Sequence, residues 1–125
     1  MRALCLTNNP AMIDSLDGNI QIIYQDISVI ELLEAAKVLI AKGHRLISHP
    51  LYGNILPDYS PYKSILLSVF EGHKEYLSAE TIDKAILHTK RLMSLEAAHY
   101  PEDTDILNDL QFIDKCIVSS CISLL

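Results

Sequence analysis

Gly43-His44-Arg45-Leu46-Ile47-Ser48 decides how this chain is read as a fold. Ahead of it, Ser28 and Glu31 stand in capping-box spacing, and Ile30, Leu33, Ala36, Val38, Leu39 and Ile40 give a helix a broad apolar face that Gly43 stops. After it, Arg45-Leu46-Ile47-Ser48 reads as a strand. A strand at this point makes the first half of the chain an alternation of strands and helices. Such alternation favours a parallel sheet with right-handed crossovers.

Toward the N-terminus, Ala3-Leu4-Cys5-Leu6 reads as a buried strand running into Thr7-Asn8-Asn9-Pro10, where Asn9 can cap a short helix and Pro10 can take its first position. Asp17-Gly18-Asn19 breaks the chain, and the β-branched run Ile20-Gln21-Ile22-Ile23-Tyr24 gives a second strand. Toward the C-terminus, the prolines and tyrosines between His49 and Lys63 make a structured loop. Ser64 to Phe70 reads as a further strand whose direction the pattern leaves open. Ser78 can cap a helix from about Ala79 into the nineties, with Ile82, Ala85, Ile86, Leu92 and Met93 on its apolar face. Pro101 breaks it, and a last helix starts near Thr104.

The expected fold is therefore α/β: a small open sheet of about four strands, mostly parallel, in two or three layers, with two C-terminal helices. The 125 residues fit one domain, 1–125, and half of them are apolar, the balance of a chain that buries a core. Ten basic against sixteen acidic side chains leave a net charge of -6, a field that repels phosphate backbones, so no nucleic-acid partner is expected. The apolar stretches are too short for a signal-peptide core or a membrane span. Cys5, Cys116 and Cys121 are odd in number and set among apolar neighbours, which reads as reduced core thiols in a cytoplasmic protein.

Few motifs carry chemistry. There is no Gly-x-Gly-x-x-Gly and no P-loop, so no cofactor is expected; no histidine pair stands at ligand spacing, so no metal is expected either. No Gly-x-Ser-x-Gly elbow offers a serine nucleophile, and Cys5 has no evident neighbouring base. His44, His73 and His88 read as structural or surface residues.

Two loops remain. The Thr7-Asn8-Asn9-Pro10 turn follows a strand and could hold a carboxylate or phosphate on backbone N-H groups; the plainer account is an Asn cap with Pro at the first helical position. In Ser48-His49-Pro50-Leu51-Tyr52-Gly53-Asn54 and the segment that ends at Lys63, His49 could move a proton, Lys63 could hold an anion, and Tyr52, Tyr59 and Tyr62 could wall a pocket. The plainer account has His49 satisfying backbone groups in a turn and the tyrosines packing the loop.

Three segments, Thr7-Asn8-Asn9-Pro10, Gly43 to Asn54 and Ser60-Pro61-Tyr62-Lys63-Ser64-Ile65, together resemble the GrdX family. Its members are small proteins encoded beside the glycine, sarcosine and betaine reductase systems of amino-acid-fermenting anaerobes. The resemblance implies a pathway neighbourhood without a defined reaction, and adds weight to Asn8, Asn9, His49, Pro50, Gly53, Pro61, Tyr62 and Lys63.

The leading expectation is a non-catalytic accessory protein for such a reductase system. It would bind a small anionic metabolite between the Thr7 turn and the His49 loop, through Thr7, Asn8, Asn9, His49, Tyr52, Gly53, Asn54, Tyr62 and Lys63. The alternative is a small acid-base enzyme in which His49 transfers a proton and Lys63 steadies negative charge on a carboxylate or amine substrate. The apolar segment from Cys116 to Leu125 would suit a homodimer through the C-terminal helices.

Overall fold

A computed structural model describes residues 3–14, 18–51, 57, 59–69, 76–95 and 99–125. Strand β1 (Ala3–Thr7) is the centre of a three-stranded sheet, flanked by β2 (Ile20–Tyr24) and β3 (Ser64–Ser68) in the order β2-β1-β3. Every residue of β1 and β3 is buried, as their unbroken apolar and small-polar runs require of strands covered on both faces.

The sheet is mixed. Ala3 to Thr7 pairs in parallel with Ile20 to Tyr24 and antiparallel with Ser64 to Ser68. This corrects the expectation of about four mostly parallel strands. The reason lies in Arg45-Leu46-Ile47-Ser48, which makes a single antiparallel bridge, Leu46 to Leu67, and no strand. Its backbone bonds to β3 at Ile47 N to Leu66 O (2.9 Å) and Ser68 N to Arg45 O (2.7 Å). The N-H groups of Arg45 and Leu46 donate instead to the hydroxyls of Ser68 (2.8 Å) and Ser78 (3.0 Å). With those donors turned to side chains, and with Pro50 supplying none, the ladder cannot extend. The segment runs alongside β3 in the opposite sense, and the chain turns back to form β3 itself, so β3 opposes β1.

Helix α1 (Val29–Lys42) begins with the capping box foreseen from sequence: the Ser28 hydroxyl accepts from Glu31 N and the Glu31 carboxylate from Ser28 N, both at 3.2 Å. It ends at Gly43, whose φ of 116° lies in the left-handed region that favours glycine. Its buried face is Val29, Leu32, Leu33, Ala36 and Ile40, while Val38, assigned to that face from sequence, is exposed. Helix α2 (Tyr76–Leu95) starts ahead of Ser78, so Ser78 does not cap it and instead receives the Leu46 N-H. Helix α3 (Thr104–Ser123) is capped by Asp103, which accepts from Asp105 N and Ile106 N.

Strand alternation distributes these helices over two faces. Leu4, Leu6, Ile65 and Leu67 point to a core completed by α1 and by Ile82, Ala85 and Ile86 of α2. Ala3, Cys5, Ile20 and Leu66 point to the opposite core, completed by Met12 and by Val118 and Ile122 of α3. The two C-terminal helices thus lie on opposite faces of the sheet, and the described residues form three layers, α/β/α.

Candidate functional site

The Thr7 turn lies where β1 ends and β3 begins, and its polar groups are bonded within the chain. Asn9 caps a single 3-10 turn, Pro10–Met12. The N-H of Asn8 donates to Lys63 O (3.2 Å), that of Asn9 to Thr7 Oγ1 (2.9 Å) and that of Ala11 to Asn9 Oδ1 (3.0 Å). Those of Met12 and Ile13 donate to Asn9 O and Pro10 O. The Asn8 side chain joins three segments: Nδ2 donates to Ile27 O (2.9 Å) and Pro61 O (2.8 Å), and Oδ1 accepts from Lys63 N (2.8 Å). Both amide donors are thereby used.

Beneath α3 these groups close into a ring around one carboxylate. Ser64 Oγ donates to Asp114 Oδ2 at 2.6 Å and Asn9 Nδ2 donates to the same oxygen at 3.0 Å. With the Ser64 proton so placed, the Thr7 hydroxyl is the donor in the 2.7 Å Thr7–Ser64 bond, and Thr7 in turn accepts from Asn9 N. Asn9 Nδ2 also donates to Gln111 O, and Gln111 Nε2 donates to the Tyr62 hydroxyl (2.9 Å). Two neighbours feel this buried charge. Burial pushes the Cys5 thiol up to about 12; Asp114 adds to the rise and the hydrogen bond with Ser64 opposes it. Burial lowers the Lys63 ammonium from its ordinary range, and Asp114 opposes that shift.

His49 faces a different environment. It is exposed, and its Nδ1 accepts from Leu51 N at 3.1 Å, so Nε2 is the nitrogen left to meet a ligand. It lines an open groove of about 270 Å³ with Leu51 and with Thr81, Lys84, Ala85 and His88, one side of α2. An adjoining groove of about 250 Å³ shares His49 and Thr81 and continues past Ser48 to Arg45. Among the described residues no aspartate or glutamate lines either groove, although the net charge of the chain is -6. Lys84 also pairs with Glu80 at 2.8 Å, an exposed pair that contributes little.

The candidates from sequence therefore divide. Thr7, Asn8, Asn9, Tyr62 and the Lys63 backbone share one seam between the end of β1 and α3, whereas His49 stands in the α2 groove, whose cations come from Arg45 and Lys84. Tyr52, Gly53, Asn54 and His73 lie outside the described residues. Tyr59 stacks on His99 with ring centroids 4.7 Å apart. Cys5 is buried as expected, but Cys116 is exposed and Cys121 half-buried; all three are free thiols. Sequence reasoning passed over Asp114, although a carboxylate at helical spacing from Val118 and Ile122 on the buried stripe of α3 is itself a sign of a buried polar partner. It also passed over Lys84, which only the packing of α2 brings opposite His49.

Among the described residues no three His, Cys, Asp or Glu side chains gather as a metal site, and no helix is long and apolar enough to cross a membrane. The fold and these sites define a small α/β/α protein with a buried carboxylate ring on one side and a basic groove on the other. The family model for GrdX-like proteins matches residues 4–123, and the chain belongs to that family. No curated protein and no solved structure matches it.

Proposed function

We propose that this GrdX-like protein is a non-catalytic accessory protein of a glycine, sarcosine or betaine reductase system, acting in the cytoplasm and binding a small carboxylate or phosphate. The ligand site is the double groove between residues 45–51 and α2. The observation that carries this reading is the gathering of Arg45, His49, Lys84 and His88 around a groove that no carboxylate lines among the described residues, Lys84 being paired with Glu80 beside it, on a chain with six more acidic than basic side chains. Such a groove concentrates an anion against the average field of the molecule. The hydroxyls of Ser48, Ser78 and Thr81 and the His49 Nε2 supply hydrogen bonds beside the charges. Three free thiols accord with a reducing compartment.

A thermal-shift series against glycine, sarcosine, betaine, acetyl phosphate and inorganic phosphate tests this. A ligand at a hundredfold excess over its Kd stabilises the fold by about 2.7 kcal/mol. The expected result is a rise in Tm for an anionic ligand that His49→Ala and Lys84→Ala each reduce. A flat response across the panel, or a rise that both variants retain, overturns the groove as the site.

A further inference from the structure

Among the described residues the sheet has one open edge. On the β3 side, Arg45 and Ile47 bond to Ser68 and Leu66 and cover the edge. On the other side, β2 pairs only with β1 among the described residues. Gln25 N donates to Thr7 O, and Asn19 O accepts from Ala3 N, so odd-numbered residues of this run turn their backbone groups toward β1. Because N-H and C=O of one residue point the same way and alternate along a strand, Ile20, Ile22 and Tyr24 turn theirs outward.

Among the described residues this edge has none of the usual protections. Ile20-Gln21-Ile22-Ile23-Tyr24 holds no charge, no proline and no bulge. Beside it lies an open apolar groove of about 290 Å³ lined by Leu6, Ile23, Gln25, Ala35, Val38 and Leu39, and Val38 is 52% exposed.

We propose that a second copy of this chain occupies the edge, β2 pairing antiparallel with the partner's β2 about a two-fold axis at Ile22, so that two three-stranded sheets become one. The strand is self-complementary. In that register Ile22 faces its own counterpart, Ile20 faces Tyr24, and Gln21 faces Ile23. All the outward N-H and C=O groups find partners, the aliphatic–aromatic pairs are of the favourable kind, and Asp26 falls opposite Gly18, so no like charges meet along the ladder. A net charge of -6 opposes self-association over most of the surface, and an uncharged strand is where two copies can approach. The inference is independent of the anion groove.

Sedimentation velocity over a wide concentration range, joined to amide hydrogen exchange by NMR, tests it. The wild-type protein should reach twice the 14.0 kDa mass of the chain. As it does, the Ile20, Ile22 and Tyr24 amides should gain protection, whereas those of Gln21 and Ile23, already bonded to β1, should be protected at every concentration. Ile22→Pro and Tyr24→Pro remove outward donors only, which an edge strand tolerates; each should run at the single-chain mass with its circular dichroism retained. A wild-type chain that stays at the single mass overturns the proposal, as does a dimer in which the Ile22 amide exchanges freely. The exchange measurement stands even where a proline variant fails to fold.

Discussion

Asn9 Nδ2 donates to Asp114 Oδ2 across 3.0 Å, joining the turn after the first strand to the middle of the last helix, 105 residues away in sequence. The same oxygen takes the Ser64 hydroxyl, so one buried carboxylate holds β1, β3 and α3 together. Hydrogen bonds to a charged acceptor contribute more than neutral ones, and deleting the acceptor leaves two buried donors unpaired.

Asp114→Ala should therefore destabilise the fold by about 3 kcal/mol, and Asn9→Ala by about 2 kcal/mol. The two losses should not add, because both variants break the same bond. Urea unfolding of the single and double variants measures the coupling; strict additivity would mean that the Asn9–Asp114 bond contributes nothing.

Thr89 presents the reverse case. It is fully buried in α2, and among the described residues its hydroxyl has no hydrogen-bond partner. Thr89→Val replaces the unpaired hydroxyl with a methyl of similar size and should raise stability by about 1 kcal/mol, read as a higher denaturation midpoint at unchanged m-value.

The thiols should react in the order of their exposure and acidity. Cys116 is exposed, whereas Cys5 is buried beside Asp114 with its pKa pushed up to about 12. A thiol reagent at neutral pH should label Cys116 promptly and Cys5 only on unfolding, since the thiolate is the reactive form. Mass spectrometry of partly labelled protein gives the order.

The same shift makes alkaline stability depend on Cys5. Its folded pKa lies above the unfolded value of 9.0, so between pH 9.0 and about 12 the native state holds a proton that the unfolded chain has lost. Stability then falls as pH rises, by about 1.4 kcal/mol per unit from this group. Cys5→Ala should lose stability at neutral pH through its smaller side chain, yet show a shallower decline above pH 9, which denaturation curves at several pH values resolve.

Several elements were legible before any coordinates because their causes are local. The Ser28–Glu31 capping box, the Gly43 stop and the Asn9 cap with Pro10 behind it each depend on residues within one turn of one another. Arg45-Leu46-Ile47-Ser48 misled for the opposite reason. Its apolar pattern suits a strand, but its N-H groups are drawn to Ser68 and Ser78, partners 23 and 32 residues away that periodicity does not reveal. His49 and Lys63 are close in sequence and chemically suggestive, yet His49 joins Lys84 in the α2 groove and Lys63 stands near Asp114.

By itself the amino-acid order determined where α1 starts and stops, where α3 begins and that the first strand is buried, because capping, glycine conformation and apolar spacing act over a few residues. The resemblance of its central loop also pointed to the family before the fold was known. Only the tertiary structure decided that β3 opposes β1, that Asp114 lies under the sheet and that, among the described residues, the β2 edge is open. Those facts depend on which distant donors and acceptors meet once the chain has folded, and on which backbone groups the packed helices leave uncovered.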